Sequence, residues 1–143
     1  MCDISDIKKS IMGKNNINRT ILITGAIAGL LAVLLGAFGA HGLKNAVDAQ
    51  QVASFTTGVR YQMYHAIMCL VIGNMTFLSN MLKKRIFYFF LSGMLFFSGS
   101  IYLLVLDEVL GIDASSIGFI TPVGGLLLIL GWVLLVFSFV KNK

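Results

Sequence analysis

The sequence predicts an all-α membrane protein, a four-transmembrane-helix bundle with a short amphipathic interfacial helix between spans one and two. Four stretches without Asp, Glu, Lys or Arg predict the spans: 20–43, 61–82, 86–106 and 114–140. Each stretch has about the ~20 mostly apolar residues that a helix needs to cross a bilayer. The chain is 57% hydrophobic with a mean hydropathy of +0.89, well above the values of soluble proteins. The basic residues collect at the ends of these stretches, as the ends of membrane spans require.

The distribution of basic residues predicts the orientation of the spans. Nine Lys and Arg residues lie before span one, between spans two and three, or after span four, whereas Lys44 and Arg60 lie between spans one and two. This excess predicts an inner-membrane protein with both termini in the cytoplasm. Residues 1–19 then form a basic cytoplasmic tail, either flexible or a short surface helix, with partial disorder favoured. Residues 20–140 form the membrane domain, and residues 141–143 form a second cytoplasmic tail.

A rival interpretation takes residues 1–39 as a signal peptide, because Ala37-Phe38-Gly39 resembles a cleavage site. The apolar run is longer than a usual signal core, and its removal would cost the other spans a packing partner. We therefore expect the first span to remain part of the protein.

The connections between spans carry their own signals. In the first connection, Val52, Phe55 and Val59 share one helical face among polar residues. This pattern predicts the interfacial helix, which we expect to end at Gly58. The three consecutive basic residues Lys83, Lys84 and Arg85 predict a tight turn that makes spans two and three antiparallel neighbours.

The fourth span carries signals at its start. Ser115 or Ser116 is expected to cap its N-terminus, and Pro122 either kinks this helix or marks its real beginning. Small residues in the first and fourth spans allow helix backbones to approach closely in lipid, and a spacing of four keeps them on one face. The glycines assigned to helix packing are Gly25, Gly29, Gly36, Gly39, Gly124 and Gly125.

Polar side chains inside a membrane are expensive and therefore mark sites to consider. His41 ends the first span, and His65 lies about one turn inside the second. Together with Cys69, which shares a helix face with His65, they are weak candidates for a metal site, with haem or copper as the cofactor. The alternative is that both histidines form hydrogen bonds across helices. No CxxC, HxxxH or CxxCH pattern is present, so we expect no cofactor.

Several function classes have no support in the sequence. The predicted spans contain no carboxylate, which argues against a proton-coupled pump, and no nucleotide-binding loop or serine–histidine–acid set is discernible. The basic residues form no stripe with interleaved aromatic residues, so no nucleic-acid partner is expected. Cys2 and Cys69 are predicted to be free thiols, because the first lies in the cytoplasmic tail and the second inside a span.

Three segments, in order along the chain, carry a family resemblance. The first is 35–43 (LGAFGAHGL), the second is 61–66 (YQMYHA), and the third combines 120–125 (ITPVGG) with Gly131-Trp132. Over residues 20–140 the chain resembles the YgdD/YwdK-like family of small multi-span membrane proteins, which includes a eukaryotic transmembrane branch. The resemblance implies an inner-membrane protein with no settled biochemical activity and no catalytic residues to carry over.

The predicted topology puts all three segments near the outer leaflet. We therefore predict one outward-facing polar pocket between the helices, whose candidate residues are His41, Arg60, Tyr61, Tyr64, His65, Thr121 and Pro122.

The expected function is that of a non-enzymatic scaffold or accessory subunit, although the sequence leaves enzymatic activity uncertain. The expected partners are the lipid bilayer and either a second copy or another membrane protein. The alternatives are a ligand-, haem- or metal-binding redox module that uses His41 and His65, and a small oligomeric transporter.

Overall fold

The fold is a bundle of four helices. The computed structural model describes the backbone of residues 4–141 and the side chains of residues 16–107 and 109–141. Its long helices are α1 (Ile4–His41), α2 (Ala49–Asn74), α3 (Asn80–Leu110) and α4 (Ile120–Lys141). Short 3-10 helices at Leu43–Asn45 and Ser115–Ile117 precede α2 and α4, and the described residues contain no strand.

The helices pack in the order of the chain. α1 packs along α2, α2 along α3, and α3 along α4, so that α2 and α3 form the middle of the bundle. The main apolar core draws on all four helices, and its fully buried members include Ile21, Ile72, Phe90 and Leu135. We call the end that carries Arg19, Lys83–Arg85 and Lys141 the basic end, and the opposite end the far end.

Glycines set the distance between neighbouring helices. A Cβ atom added at Gly25 would lie 3.0 Å from the Ala66 carbonyl oxygen, and one at Gly39 would lie 3.0 Å from the Phe55 ring. Gly124 approaches α3 so closely that a Cβ atom there would overlap the backbone nitrogen of Phe97. The other glycines that were assigned to packing also face neighbouring helices, with added Cβ atoms 3.4–3.9 Å from them: Gly29, Gly36 and Gly125.

Three stretches of the bundle are long and apolar enough to cross a membrane: Asn16–Asn45, Asn80–Asp107 and Ser115–Lys141. α2 is more polar than the other helices, because buried Gln62 and His65 lie along its length. It lies beside α1 and α3 rather than at the edge of the bundle.

The separate interfacial helix that the sequence predicts is absent, because residues 49–60 are the first part of α2. The Asp48 side chain accepts a hydrogen bond from the Gln51 backbone, and the Gln51 side chain accepts one from the Asp48 backbone. This capping box starts α2 at Ala49. The helix then continues through Gly58, which packs against Ile101 and Tyr102 of α3 instead of ending the helix.

The turn between α2 and α3 lies at 75–79, so the prediction of a turn at Lys83–Arg85 was wrong. Ser79 starts α3 by accepting a hydrogen bond from the Leu82 backbone through its hydroxyl group. Asn74 lies at the end of α2, where its side chain donates to the Leu70 carbonyl. The polar residues near the turn, rather than the basic residues, mark the connection.

Lys83 is consequently a helical residue, and it is buried with only 1% of its surface exposed. Its ammonium group donates to the Asn18 side-chain oxygen at 2.9 Å and lies 3.4 Å from the Gly73 carbonyl oxygen. Gly73 supplies one of the last four carbonyls of α2, which lack partners inside the helix. Lys83 therefore ties α1, α2 and α3 together at the basic end.

The N-terminal part of the chain also differs from prediction. α1 begins at Ile4, so the predicted boundary between tail and span at residue 20 is not a structural boundary, and the favoured partial disorder does not hold for the helical part of residues 4–19. Residues 1–3, with the predicted thiol of Cys2, lie outside the described residues, as do residues 142–143.

α4 begins at Ile120 rather than at residue 114, and Pro122 lies in its first turn, where proline is tolerated. Ser115 and Ser116 precede the helix in a 3-10 turn and do not cap it. Instead, the Asp113 carboxylate accepts hydrogen bonds from the Ser115 hydroxyl and backbone, which lower the pKa of that carboxyl group.

The close approach of Gly124 to α3 yields a test of helix packing. We expect Gly124→Ala to destabilise the bundle by about 1–3 kcal/mol, because the added methyl group must push α3 and α4 apart. The midpoint of thermal unfolding in mild detergent, followed by near-ultraviolet circular dichroism, measures the effect. The matched control is Gly99→Ala on α3, where an added Cβ atom meets nothing within 4 Å. Equal melting temperatures for the two variants would contradict this account of the α3–α4 contact.

Candidate functional site

The most polar part of the interior is built around the Gln62 amide of α2. Gln62 is buried, with 8% of its surface exposed. Its amide nitrogen donates to the Ala28 carbonyl of α1 at 2.9 Å, and its amide oxygen accepts from the Tyr102 hydroxyl of α3 at 2.9 Å. One side chain thus joins three helices through two hydrogen bonds. Because the surroundings are apolar, water does not compete for these hydrogen bonds.

A second polar contact between α2 and α3 lies beside the first. The Ser98 hydroxyl donates to the Gly58 carbonyl at 2.7 Å. Gly58 permits this contact because a Cβ atom there would lie 2.9 Å from the Tyr102 ring. Because Gly58 has no side chain, the Tyr102 ring packs directly against the α2 backbone, next to Gln62.

His65 is held on both sides of its ring. It is buried, with its Nδ1 atom 2.7 Å from the Tyr61 carbonyl oxygen and its Nε2 atom 3.1 Å from the Trp132 indole nitrogen of α4. An indole N–H only donates and a carbonyl only accepts. Nε2 is therefore the acceptor and Nδ1 carries the proton, which makes His65 a neutral imidazole with both nitrogens occupied.

The structure brings Tyr61 next to His65, with ring centroids 6.2 Å apart, but it separates both from His41. Gly39 of α1 packs on Phe55, ten residues before His65 on α2. At 1.5 Å per residue, His41 therefore lies at least about 15 Å from His65 along the bundle. The two histidines do not share a site, because α1 and α2 are antiparallel and His41 lies at the far end.

Of the other predicted pocket residues, Tyr64 lies beside Tyr61, with ring centroids 6.2 Å apart. Arg60, Tyr64 and Pro122 are exposed. Thr121 pairs with the Ser100 hydroxyl at 2.6 Å, within the α3–α4 contact. The candidate pocket residues are therefore not all brought together: Tyr61 and His65 are neighbours, whereas His41 lies apart from them.

The geometry also bears on the predicted metal ligands. In the part of the chain that the structure describes, no three His, Cys, Asp or Glu side chains group as a metal site would require. Cys69 is fully buried against Gly25 of α1, and neither nitrogen of His65 has a free lone pair for a metal.

The structure contains a groove between α1 and α3 that the sequence did not predict. We call it the α1–α3 groove; its volume is ≈ 340 Å³, close to the lower limit of known ligand sites. Apolar side chains form its walls, and the Gln62–Tyr102 pair lies at its floor. Its lining residues are Thr24, Ile27, Ala28, Leu31, Leu35, Gln62, Leu91, Met94, Leu95, Gly99 and Tyr102.

Comparison with known proteins places the chain in a family. The family model described as a protein of unknown function, DUF423, matches residues 35–125. The chain belongs to this family. The DUF423 match covers α2 and α3 with the Gln62–Tyr102 pair, and also the start of α4. No solved structure matches the chain.

Curated relatives of this DUF423 protein extend the similarity to most of the chain. It is 37% identical to a UPF0382 membrane protein of Staphylococcus saprophyticus over 86% of this chain and 98% of the relative. It is 38% identical to the UPF0382 membrane protein YwdK of Bacillus subtilis over the same 86% of this chain and 98% of the relative. The resemblance to the YwdK-like family is thereby confirmed, and the protein is a membrane protein whose relatives carry no assigned activity.

Sequence reasoning missed the partners of the two buried polar groups of α2. His65 was a candidate site residue from the sequence but Gln62 was not, and nothing in the residue pattern linked Tyr102 to Gln62 or Trp132 to His65. Their pairing depends on how each helix is rotated about its own axis, and the mixed small and aromatic pattern of α3 leaves that rotation open.

The Gln62–Tyr102 hydrogen bond yields a double-mutant test. We expect Tyr102→Phe to destabilise the protein by about 1 kcal/mol, the usual size of a hydrogen bond between membrane helices. In a Gln62→Leu background the same change should cost less, because the acceptor is already gone. Thermal unfolding of the four proteins measures the coupling, and Tyr88→Phe at an exposed position is the control. Strictly additive effects would show that the two side chains do not interact.

The Trp132–His65 hydrogen bond can be observed directly, because Trp132 is the only tryptophan of the chain. We expect His65→Leu to shift the tryptophan fluorescence maximum to shorter wavelength, because the indole N–H loses its acceptor in an apolar setting. His41→Leu is the matched control and should leave the spectrum unchanged, since His41 lies at the far end. An identical shift in both variants would refute the separation of the histidines.

Proposed function

We propose that this DUF423 protein is a four-span, non-enzymatic scaffold of the cell membrane that binds a transmembrane helix of another membrane protein in the α1–α3 groove. The proposal has three parts, which are the number of spans and their orientation, the absence of an active site, and the nature of the partner. Different observations support each part.

The contacts of α2 support a fourth span. α2 has 26 residues, about 39 Å at 1.5 Å per residue, which exceeds the ~30 Å hydrocarbon core. It packs lengthwise on α1, which is apolar enough to cross the membrane. The buried polar groups Gln62 and His65 point to the other helices rather than to lipid, which makes a span of this polarity acceptable.

The charge distribution supports cytoplasmic termini. Four helices bring both termini to the basic end, where Arg19, Lys83–Arg85 and Lys141 lie. The cytoplasmic side of a membrane protein carries the excess of Lys and Arg in short loops. The basic end is therefore assigned to the cytoplasm.

The internal hydrogen bonds support a non-enzymatic role. Catalytic groups need a free donor, acceptor or lone pair at a site that a substrate can reach. The polar side chains buried within the described bundle are instead bonded to other helices or to their own backbone, apart from the Asn80 side-chain oxygen.

Gly99 is the observation that carries the scaffold proposal. Gly25, Gly58 and Gly124 each lie against a neighbouring helix, and an added Cβ atom would press on it. Gly99 lines the α1–α3 groove, and a Cβ atom there would meet nothing within 4 Å. Small residues in membrane helices serve close backbone approach. The absence of a side chain at Gly99 thus suits a helix from outside this chain.

The shape of the groove favours a different protein over a second copy. On both walls the groove extends over twelve residues, from Thr24 to Leu35 and from Leu91 to Tyr102, and the eleven steps between the end residues rise about 16 Å. A two-fold dimer sets the same surface of both chains face to face. Two concave grooves placed face to face leave each other unfilled, so the groove suits a convex helix of a partner.

Site-specific photo-crosslinking in cells tests the proposal. A photoreactive residue at Leu95, in the groove, is expected to yield one discrete crosslinked membrane protein. The same residue at Ile129, on the exposed surface of α4, should not yield it. Gly99→Leu should abolish the crosslink, because its side chain fills the space that the partner helix occupies.

The control variant is Ala26→Leu, which adds the same bulk at an exposed position of α1 outside the groove. It should leave the crosslink intact. Gly99→Leu should also leave the melting temperature of the purified protein unchanged, which separates loss of the partner from loss of the fold. Crosslinks of equal yield at both positions, or a crosslink only to a second copy of the chain, would overturn the proposal.

A further inference from the structure

We infer that the surface between α3 and α4 at the basic end is a binding site for one anionic phospholipid. This surface is a groove of ≈ 420 Å³, and we call it the α3–α4 groove. Its lining residues are Met81, Lys84, Arg85, Tyr88, Phe89, Ser92 and Leu127. It shares no lining residue with the α1–α3 groove, so it does not depend on the proposed partner helix.

The lining of the groove changes along its length from charged to amphipathic to apolar. A phospholipid changes in the same order from its headgroup to its acyl chain. Lys84 and Arg85 form its mouth at the start of α3 and are exposed. Tyr88 follows one turn deeper, and Phe89, Ser92 and Leu127 line the rest. A lipid presents phosphate, then ester groups, then an acyl chain over the same depth. The cations therefore meet the phosphate, the tyrosine meets the ester region, and the apolar part meets the chain.

The dimensions fit one leaflet. From Lys84 to Ser92 the helix rises about 12 Å, which stays within half of the ~30 Å hydrocarbon core. Ser92 donates its hydroxyl group to the Tyr88 and Phe89 carbonyls of its own helix. The deep part of the groove therefore presents no unpaired hydroxyl group to an acyl chain.

Charge complementarity selects an anionic headgroup. Lys84 and Arg85 lie in the first turns of α3, which begins at Asn80. The excess of basic residues on the cytoplasmic side of membrane proteins explains why cations lie near this end of the bundle. It does not explain why two of them lie at the mouth of an apolar groove. A bound phosphate offsets the two cations, and basic sites between membrane helices bind anionic headgroups in this way.

Lipid binding to the purified full-length protein tests the inference. Native mass spectrometry in mild detergent measures the affinity for dioleoyl-phosphatidylglycerol, with dioleoyl-phosphatidylcholine as the zwitterionic comparison. We expect phosphatidylglycerol to bind more tightly. Lys84→Gln/Arg85→Gln should weaken its binding by about thirtyfold, from the known contribution of each cation near a lipid surface.

Two further variants distinguish a site from diffuse charge. Arg19→Gln/Lys141→Gln removes the same charge from exposed residues of the basic end outside the groove, and it should change the affinity less than twofold. Ser92→Phe fills the deep part of the groove. It should weaken the binding of dioleoyl-phosphatidylglycerol but not that of short-chain dihexanoyl-phosphatidylglycerol. Equal losses in the two charge variants, or equal affinities for the two headgroups in the wild-type protein, would overturn the inference.

Discussion

The bundle depends on enclosing the polar side chains of α2. Gln62 and His65 can lie in the apolar interior of the bundle because each of the other helices supplies a hydrogen-bond partner: the Ala28 carbonyl of α1, the Tyr102 hydroxyl of α3 and the Trp132 indole of α4. An unpaired polar group in hydrocarbon costs several kcal/mol. The position of α2 inside the bundle therefore follows from its own composition, and the other helices are arranged around it.

Glycines and hydrogen bonds act together in this arrangement. Gly25 and Gly39 bring α1 onto α2, and Gly58 brings the Tyr102 ring onto the α2 backbone. Apolar packing gives little preference between lipid and protein, since lipid tails are as apolar as leucine. Close backbone contact therefore supplies attraction between the helices, and the directional hydrogen bonds of Gln62 and His65 fix how the helices are rotated.

The sequence predicted those features of the fold that depend on hydropathy and on the spacing of small residues. The charge-free stretches located α1, α3 and α4, and the glycine spacing identified the faces that pack. Element boundaries were less accurate. Asp48 and Gln51 form a capping box that was readable in the sequence, and Ser79 starts α3, but the apolar residues between Asn74 and Ser79 concealed the turn. The sequence could not predict which candidate pocket residues are neighbours, because side-chain pairing depends on how each helix is rotated about its axis, which the sequence does not specify.

The polarity of α2 has a consequence for how the chain is made. A helix is released into lipid during synthesis when its transfer is favourable, and α2 has neither the hydropathy of its neighbours nor, when it emerges, the partners that α3 and α4 later supply. At that moment α1 alone has been synthesised, and it already offers the Ala28 carbonyl to Gln62. In the proposed four-span topology, α1 and α2 are therefore expected to insert together as a hairpin, and His65 gains its Trp132 partner only when α4 has been synthesised.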